Sequence, residues 1–257
     1  MYVEKTSRAP VADNRPTLPA ESALDAVYAT RPDLLLDVQA GFILGAAATD
    51  EAYGFRALNL ADETMLVCAG AHRPNLLSGA KGLRFAFDTG LVHEGGRLLD
   101  MGGDYTVAWV GRIGLAAVGG MVIGEGSDAS QSWVGWDYDF KTIAAYHDGT
   151  RVAVVAPALN DATWHTLMVS YDATADAVAL YVDGIELAVA AGVTTGWGSQ
   201  GRIMVGGLGA TTPVAFTDGD IGGVAVYAGK ALSKPANAAT RTTVNAWMNA
   251  VLARVSA

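Results

Sequence analysis

The stretch from Trp164 to Val189 constrains the fold of this chain more than any other part of its sequence. Apolar side chains alternate there with small or polar ones in three consecutive runs, the first ending at Tyr171. A period of two places one face of an extended strand against a core. The last two runs are separated by Asp183-Gly184, which favours a type I′ hairpin turn because both central residues need positive φ. The stretch therefore predicts three antiparallel strands joined by a short polar loop and a tight turn.

Four segments follow one another in an order that is typical of one superfamily. They are Asp104 to Val110 with Trp109 near its end, Trp164-His165 followed by Leu180-Tyr181-Val182-Asp183-Gly184, Ile203-Met204-Val205-Gly206-Gly207, and Phe216 to Tyr227 followed by Ala231-Leu232-Ser233. This order resembles the laminin-G-like, concanavalin-A-like lectin superfamily over residues 80–233. The sequence departs from the family pattern at Gly222-Gly223, where the closing strand usually carries an acidic pair.

The resemblance implies an all-β fold, a concanavalin-A-like jelly-roll sandwich of two antiparallel sheets. Many short runs with turn signals between them also favour a sandwich over βαβ units. We predict an N-terminal arm and docking segment over residues 1–52, the sandwich over 53–233 and a C-terminal amphipathic α-helix over 234–257. The superfamily does not imply one function, because its members bind glycans, bind proteins, hydrolyse polysaccharides or build particles.

The composition restricts the partners of the chain. A net charge of −9 without a basic stripe argues against nucleic acid. No run approaches the ~20 apolar residues that a membrane span needs. A mean hydropathy of +0.26 favours apolar surface buried between copies, although abundant alanine also raises it. The single Cys68 excludes an intrachain disulfide and a Cys-based zinc site, and its apolar surroundings indicate a small buried hydrophobe.

Both ends of the chain are candidates for contacts between subunits. Pro10, Pro16 and Pro19 hold residues 1–20 extended, and such an arm needs a surface to lie on, either its own domain or a neighbouring subunit. A short helix is predicted over residues 21–30. The apolar stripe of the C-terminal helix could pack on its own sandwich or on the same helix in other copies, and we favour the second. The predicted assembly residues are Val244, Trp247, Met248, Val251 and Leu252.

The segment from Ser132 to Phe140 has the composition of a sugar site. Trp133 and Trp136 cannot share a strand face at their spacing, so at least one of them is expected to be exposed. An exposed ring packs on the apolar face of a pyranose, and nearby carboxylates accept hydrogen bonds from its hydroxyls. The other interpretation, which we favour, is that the rings cover the ends of the sandwich or fill the core or a subunit interface. The predicted glycan-binding residues are Trp133, Trp136, Tyr138 and Trp197, the last between two glycines at an expected loop tip.

No cofactor is predicted, with calcium as the alternative because it is common in the superfamily. Asp218 and Asp220 form the dense acidic pair near the closing strand and are the candidate ligands. Aspartate is also frequent in surface turns that bind no ion, and the sequence alone leaves both readings open.

The sequence predicts no catalytic residues and no enzyme. The related glucanases carry a Glu-x-Asp-x-x-Glu strand, because retaining hydrolysis needs two carboxyls about 5–5.5 Å apart. Glu125-Gly126-Ser127-Asp128 has no following Glu at the required place. The chain also lacks a Gly-x-Ser-x-Gly elbow and a His-Glu-x-x-His pair.

These observations lead to a structural protein of a virus particle, a tailed bacteriophage, as the first functional hypothesis. The protein would decorate the capsid or form part of a tail fibre, with other virion proteins, its own copies and a host-surface glycan as partners. Residues 1–8 lack the apolar segment of a secretory signal peptide, so we expect synthesis in the host cytoplasm and a location in the virion. The alternative is a soluble carbohydrate-binding module, and a polysaccharide hydrolase is the least favoured.

Overall fold

The chain forms a sandwich of two antiparallel sheets, as the sequence predicts, and two helices lie on one of its outer faces. This computed structural model describes residues 19–38, 43–44, 56–68, 74–85, 89–94, 99–113, 120–127, 130–137, 142–154, 159, 161–198, 203–208, 215–216 and 219–257. The predicted glycan residue Tyr138, the calcium candidate Asp218 and the arm over residues 1–18 lie outside the described residues.

The first sheet has eight strands within the described ranges. Seven of them lie side by side in the order β15 (Ile185–Ala191), β14 (Ala177–Val182), β13 (His165–Asp172), β8 (Tyr105–Ile113), β19 (Gly219–Ala228), β6 (Leu83–Phe85) and β5 (Asn75–Leu76). The eighth strand, β1 (Leu34–Asp37), pairs with β19 beyond the end of β6. The sandwich thus takes in a strand from before residue 53.

The second sheet has nine strands in the same described ranges. Their order is β12 (Thr150–Val154), β11 (Ile143–His147), β10 (Ser130–Trp136), β9 (Gly120–Ser127), β16 (Met204–Val205), β7 (Leu91–His93), β4 (Thr64–Cys68), β3 (Arg56–Asn59) and β2 (Ile43–Leu44). A small ladder of β17 (Gly207–Leu208) and β18 (Ala215–Phe216) packs against β9.

The three strands predicted from the Trp164–Val189 stretch are confirmed as β13, β14 and β15. Asp183 and Gly184 have φ values of 50° and 77°, as a type I′ turn requires, and the turn pairs Val182 with Ile185. The family-like segments also lie where the resemblance implies, because the closing strand β19 pairs along β8 in the middle of the eight-stranded sheet. The central position of β8 explains why nearly all of its side chains are buried.

The main core lies between the two sheets and is formed by alternate residues of their strands. Trp109 of β8 and Trp136 of β10 meet there edge to face, with ring centroids 6.1 Å apart. Edge-to-face contact is a preferred arrangement of aromatic pairs. Because Val107 and Val169 also point inward, their strand neighbours such as Ala108 and Met168 point to the opposite face.

The outer face of the eight-stranded sheet is covered by α1 (Pro19–Ala29) and α2 (Ala238–Ser256), which also contact each other. Short 3₁₀ helices occupy Ser78–Ala80 and Pro235–Asn237. Neither α1 nor α2, the two α-helices of the described part, is long and apolar enough to cross a membrane. Both helices predicted from the sequence are present, as α1 and α2.

We favoured the prediction that the apolar stripe of the C-terminal helix packs against the same helix in other copies, and this prediction is wrong. Four of the five predicted assembly residues are buried within the subunit, and Leu252 is partly buried against the same cluster. The Trp247 indole Nε1 also donates a hydrogen bond of 2.9 Å to Asp37 in β1. The helix packs on its own sandwich because Ala108, Met168 and the other outward side chains of the sheet need an apolar cover. The buried assembly residues are Val244, Trp247, Met248 and Val251.

The departure at Gly222-Gly223 has a structural cause in this helix. A Cβ atom on Gly222 would lie 2.9 Å from a methyl carbon of Val255, and one on Gly223 would lie 2.9 Å from Cζ2 of Trp247. Both distances are shorter than real Cβ contacts allow. An acidic pair at this place in the closing strand would therefore prevent α2 from packing on the sheet.

Candidate functional site

Trp136 is not a surface residue, contrary to the prediction that placed it in a glycan site. Its ring lies in the core against Trp109 and only 1% of the side-chain surface is accessible. The prediction that Trp133 and Trp136 lie on opposite faces of their strand is confirmed, because Trp133 belongs to a separate cluster on the outer face. The inward position of Trp136 follows from the alternation of β10 with Val134, which also faces the core.

Trp197 is also buried, at 3% exposure, rather than lying at a loop tip. Its Nε1 donates a 2.7 Å hydrogen bond to Oε2 of Glu125, a fully buried carboxylate in β9. The loop that carries Trp197 folds over the end of the sandwich, where Gly198 N donates to Oγ of Ser132. A buried carboxylate needs a donor, and the indole supplies one, which explains why this ring turns inward.

His147 lies beside Trp197 in the same closed end of the sandwich. Its Nε2 is 2.7 Å from the hydroxyl of Tyr105, and its Nδ1 contacts the carbonyl oxygen of Thr195. Burial lowers the pKa of His147, while the bond to Thr195 opposes that shift. Burial, and then the charge of Tyr171, raises the pKa of Tyr105. His147 and Tyr105 are both closed to solvent, and burial favours the uncharged form of each, which suits a structural role.

The outer face of the nine-stranded sheet carries a row of three side chains on neighbouring strands. Trp133 of β10 stands opposite Tyr146 of β11, which stands opposite Arg151 of β12. The Trp133 and Tyr146 rings are stacked, with centroids 4.1 Å apart and planes 13° from parallel. Exposure rises along this Trp133–Tyr146–Arg151 row, from 3% at Trp133 to a half-buried Tyr146 and an exposed Arg151.

Asp137, at the end of β10, fixes the outer two members of the row. The Tyr146 hydroxyl donates to Asp137 Oδ2 at 2.9 Å, and Arg151 Nη1 lies 3.5 Å from the same oxygen. The carboxylate itself is fully buried, so it positions the two side chains and leaves their outer surfaces to solvent. Trp133 is also buried, because Tyr146 and Met121 pack against it, so the expectation that at least one of the two tryptophans is exposed is wrong. Among the described aromatic side chains of this cluster, Tyr146 is the one that solvent reaches.

Sequence reasoning missed Tyr146 and Arg151, although one signal pointed to them. Asp148-Gly149 is an Asp-Gly pair between two short runs, and its φ values of 47° and 75° are both positive. A type I′ turn at this pair joins β11 to β12 and so brings Tyr146 and Arg151 together on adjacent strands. Asp148-Gly149 therefore carries the same hairpin signal as Asp183-Gly184.

The calcium candidate Asp220 is engaged by two arginines. Its carboxylate accepts hydrogen bonds from Arg84 at 2.7 and 2.9 Å and from Arg112 Nε at 2.7 Å, and it is almost fully buried. Guanidinium groups in these positions take the lone pairs that a cation would need. Among the described residues, no group of three His, Cys, Asp or Glu side chains is placed to hold a metal ion.

The fold resembles solved structures at low sequence identity. The chain aligns with a Trypanosoma rangeli sialidase mutant displaying trans-sialidase activity at a TM-score of 0.52 and 11% identity, over 90% of this chain and 39% of that one. It aligns with the Ruminococcus gnavus IT-sialidase CBM40 at a TM-score of 0.42 and 12% identity, and this alignment covers 51% of this chain and 85% of that one. With the mouse laminin alpha1 chain, domains LG4-5, the TM-score is 0.39 and the identity 18%, and the alignment covers 50% of this chain and 38% of that one. At 11% identity, the alignment with the Trypanosoma rangeli sialidase shows the fold alone.

The chain is shorter than most of these proteins, since it spans only 23% and 24% of two NanB sialidase chains from Streptococcus pneumoniae. A search of curated protein sequences gave no match. The family model described as the concanavalin A-like lectin/glucanases superfamily matches residues 88–236, which is more than half of the chain. Together with the two facing antiparallel sheets, this match establishes that the chain belongs to the concanavalin A-like lectin/glucanase superfamily.

Proposed function

We propose that this protein is a non-catalytic glycan-binding domain that binds sugar on the outer face of the nine-stranded sheet. The observation that carries the proposal is the Trp133–Tyr146–Arg151 row, which places an accessible aromatic ring beside a cation. An aromatic ring packs on the C–H face of a pyranose, and a guanidinium donates hydrogen bonds to its hydroxyl oxygens. The outer face of the other sheet is covered by α1 and α2.

The row is rigid enough to serve as a binding platform. Trp133 supports one face of the Tyr146 ring, and the buried Asp137 holds the Tyr146 hydroxyl. A ring that is already fixed loses little conformational freedom when a ligand binds, so more of the contact energy contributes to affinity. The residues assigned to sugar contact are Tyr146 and Arg151, with Trp133 and Asp137 as positioning residues.

The absence of catalysis is part of the proposal and is supported by the state of the carboxylates. Asp104 and Asp172 lie close to one another, but Lys234 Nζ contacts both, at 2.6 and 3.0 Å. Burial acts to raise the pKa of Asp172, but hydrogen bonds from the backbone of Ala175 and from Lys234 outweigh it and lower the pKa. A general acid for glycoside cleavage needs a raised pKa, so this pair is unsuited to that role.

The test is a glycan array followed by titration of the best ligand into Tyr146→Ala and Tyr146→Phe variants. Removing the ring should weaken binding by about fivefold or more, because an aromatic contact contributes roughly 1 kcal/mol or more. Tyr146→Phe keeps the ring and should retain most of the affinity. Tyr28→Ala, which removes an exposed tyrosine from α1, is the matched control and should bind as the parent does. An unchanged affinity in Tyr146→Ala, or an array without any binding, would remove this function.

A structural role in a virus particle is the second candidate, and a specific surface favours it. Ile185, Leu187 and Val189 are exposed by 63%, 44% and 55% on β15, the outermost strand of the described eight-stranded sheet. An outermost strand with exposed apolar side chains is a surface for association with another chain. In this second proposal the protein is a capsid decoration or tail-fibre component of a tailed bacteriophage and touches host glycans through the same sheet face.

The particle hypothesis is tested by sedimentation of the protein and of a Leu187→Lys variant. A stable oligomer that Leu187→Lys dissociates, together with recovery of the protein in purified particles, would support it. A parent protein that remains monomeric at micromolar concentrations and is absent from particles would count against it. Neither outcome bears on the array experiment, so the two functions can be judged separately.

A further inference from the structure

A second site-like feature lies away from the Trp133–Tyr146–Arg151 row, at the edge of the eight-stranded sheet. A cleft of about 680 Å³ opens there between the last turn of α2 and the segments that lead into β6 and β13. This volume lies in the range of small-molecule sites, roughly 300–1,000 Å³. Its polar and aromatic lining consists of Ser78, Lys81, Arg112, Thr163, Trp164 and Ser256.

Arg112 is held in the cleft in a fixed orientation. Its Nε donates to Asp220 at 2.7 Å, and its guanidinium carbon lies 4.9 Å from the ring centroid of the largely buried Trp164. Its two Nη groups have no hydrogen-bond partner among the residues the structure describes, and the side chain is one-third exposed. A guanidinium fixed through one nitrogen and free at the other two is suited to bidentate binding of an oxyanion.

Lys81 also lines the cleft and adds a second positive charge. Within the described ranges its ammonium group faces no carboxylate, whereas the one buried acid nearby, Asp220, is shared by Arg84 and Arg112. Lys81 and Arg112 therefore bring two cations to the cleft of a protein whose net charge is −9, while Asp220 is already paired with Arg84 and Arg112. Local positive charge on an acidic protein concentrates anions at that place. The next acid along the wall, Asp161, is in contact with His165.

We propose that this cleft binds the acidic unit of a glycan, a sugar that carries a carboxylate or a sulfate ester. Arg112 binds the oxyanion through its two Nη groups and Lys81 neutralises its remaining charge. The hydroxyl of Ser78 is placed to exchange hydrogen bonds with those of the sugar. The Thr163 hydroxyl bonds to Asp161 and keeps its acceptor capacity for the sugar, and the edge of Trp164 gives an apolar contact. The site is separate from the Tyr146 face and does not depend on it.

The test is calorimetric titration of the full chain with glucuronic acid and with glucose 6-sulfate, each at millimolar concentration. Glucose and inorganic sulfate are the neutral and sugar-free controls. Lys81→Ala is the safest variant because Lys81 supports no described ion pair, and Arg112→Gln removes the fixed donors while Arg84 still holds Asp220. Arg56→Ala is the matched control, since it removes a surface cation in β3 on the other sheet. The indole resonance of Trp164 in an NMR spectrum reports the site directly.

We expect one or both acidic sugars to bind, to shift the Trp164 resonance and to bind about tenfold more weakly to Lys81→Ala and Arg112→Gln. The stronger of the two ligands identifies carboxylate or sulfate as the preferred oxyanion. Arg56→Ala and Tyr146→Ala should bind as the parent does, so loss of the sheet-face function leaves this result intact. Three results would overturn the proposal: neither acidic sugar binds, both cleft variants keep full affinity, or inorganic sulfate binds as tightly as the sugars (an adventitious ion only).

Discussion

Truncating Trp247 should destabilise the isolated subunit, because this side chain fixes α2 on the eight-stranded sheet. The side chain is 1% exposed and its Nε1 donates to the buried carboxylate of Asp37 at 2.9 Å. Loss of a buried large aromatic ring costs about 3–5 kcal/mol. Trp247→Phe keeps most of the ring and loses the hydrogen bond to a charged group, worth about 1.5–3 kcal/mol, although Arg254 still contacts Asp37.

The measurement is the free energy of unfolding from urea titrations at several protein concentrations. We expect the order parent, Trp247→Phe, Trp247→Ala, with unfolding midpoints that do not depend on protein concentration. Asn249→Ala changes an exposed residue of the same helix and should lie within about 0.5 kcal/mol of the parent. The comparison separates a packing effect from a general sensitivity of α2 to substitution.

Two results would refute this reasoning. If Trp247→Ala cost less than about 1 kcal/mol, the contact between helix and sheet would not hold α2 in place. If the midpoint of the parent rose with protein concentration while Trp247→Ala simply became monomeric and stayed folded, α2 would be packing between copies. The second result would restore the interpretation that sequence reasoning favoured.

Two further predictions concern the interior of the sandwich. Gly206→Ala should cost about 2–5 kcal/mol, because φ is +80° and the new Cβ would lie 2.1 Å from the Phe85 ring, whereas Gly184→Ala, with φ of +77° and open space around it, should cost only about 1–2 kcal/mol. Burial lowers the pKa of His147 in the folded protein, so as the pH falls this imidazole is protonated in the unfolded chain before it is protonated in the folded one. Stability present above about pH 6.5 should therefore fall as the pH drops below it, and urea titrations of His147→Gln should show a weaker fall.

Much of the fold could be predicted because alternation and turn chemistry are local signals. Asp183-Gly184 fixed a turn type and therefore a register, and the three strands around it formed as expected. The C-terminal helix was also predictable from its spacing of apolar residues. The surface on which this helix packs was not predictable. The spacing shows that its apolar stripe must be covered, but it does not show which surface covers it. Gly222-Gly223 contained that information, but only the packed helix reveals why side chains are excluded there.

The candidate site was harder to predict for a related reason. Alternation separates the two faces of a strand, as it did for Trp133 and Trp136, and it does not show whether the outer face is itself covered. Trp133 points outward and is still buried under Tyr146, a neighbour that only the strand order of the sheet identifies. The inward turn of Trp197 depends on a long-range bond to Glu125, for which the sequence holds no local signal.

The two outer faces of the sandwich have different roles, one in stability and the other in the proposed binding. Helix α2 closes the face of the eight-stranded sheet with an apolar contact, so that face contributes to stability and is unavailable to a polar ligand. The row that contains Tyr146 lies on the opposite face, in a small cluster that is separate from the main core. The cleft is intermediate, because Val255 of α2 is both a packed core residue and part of its wall. Changes in the last turn of α2 should therefore alter the cleft and the stability together, while changes at Tyr146 should alter binding and uncover Trp133 without disturbing the main core.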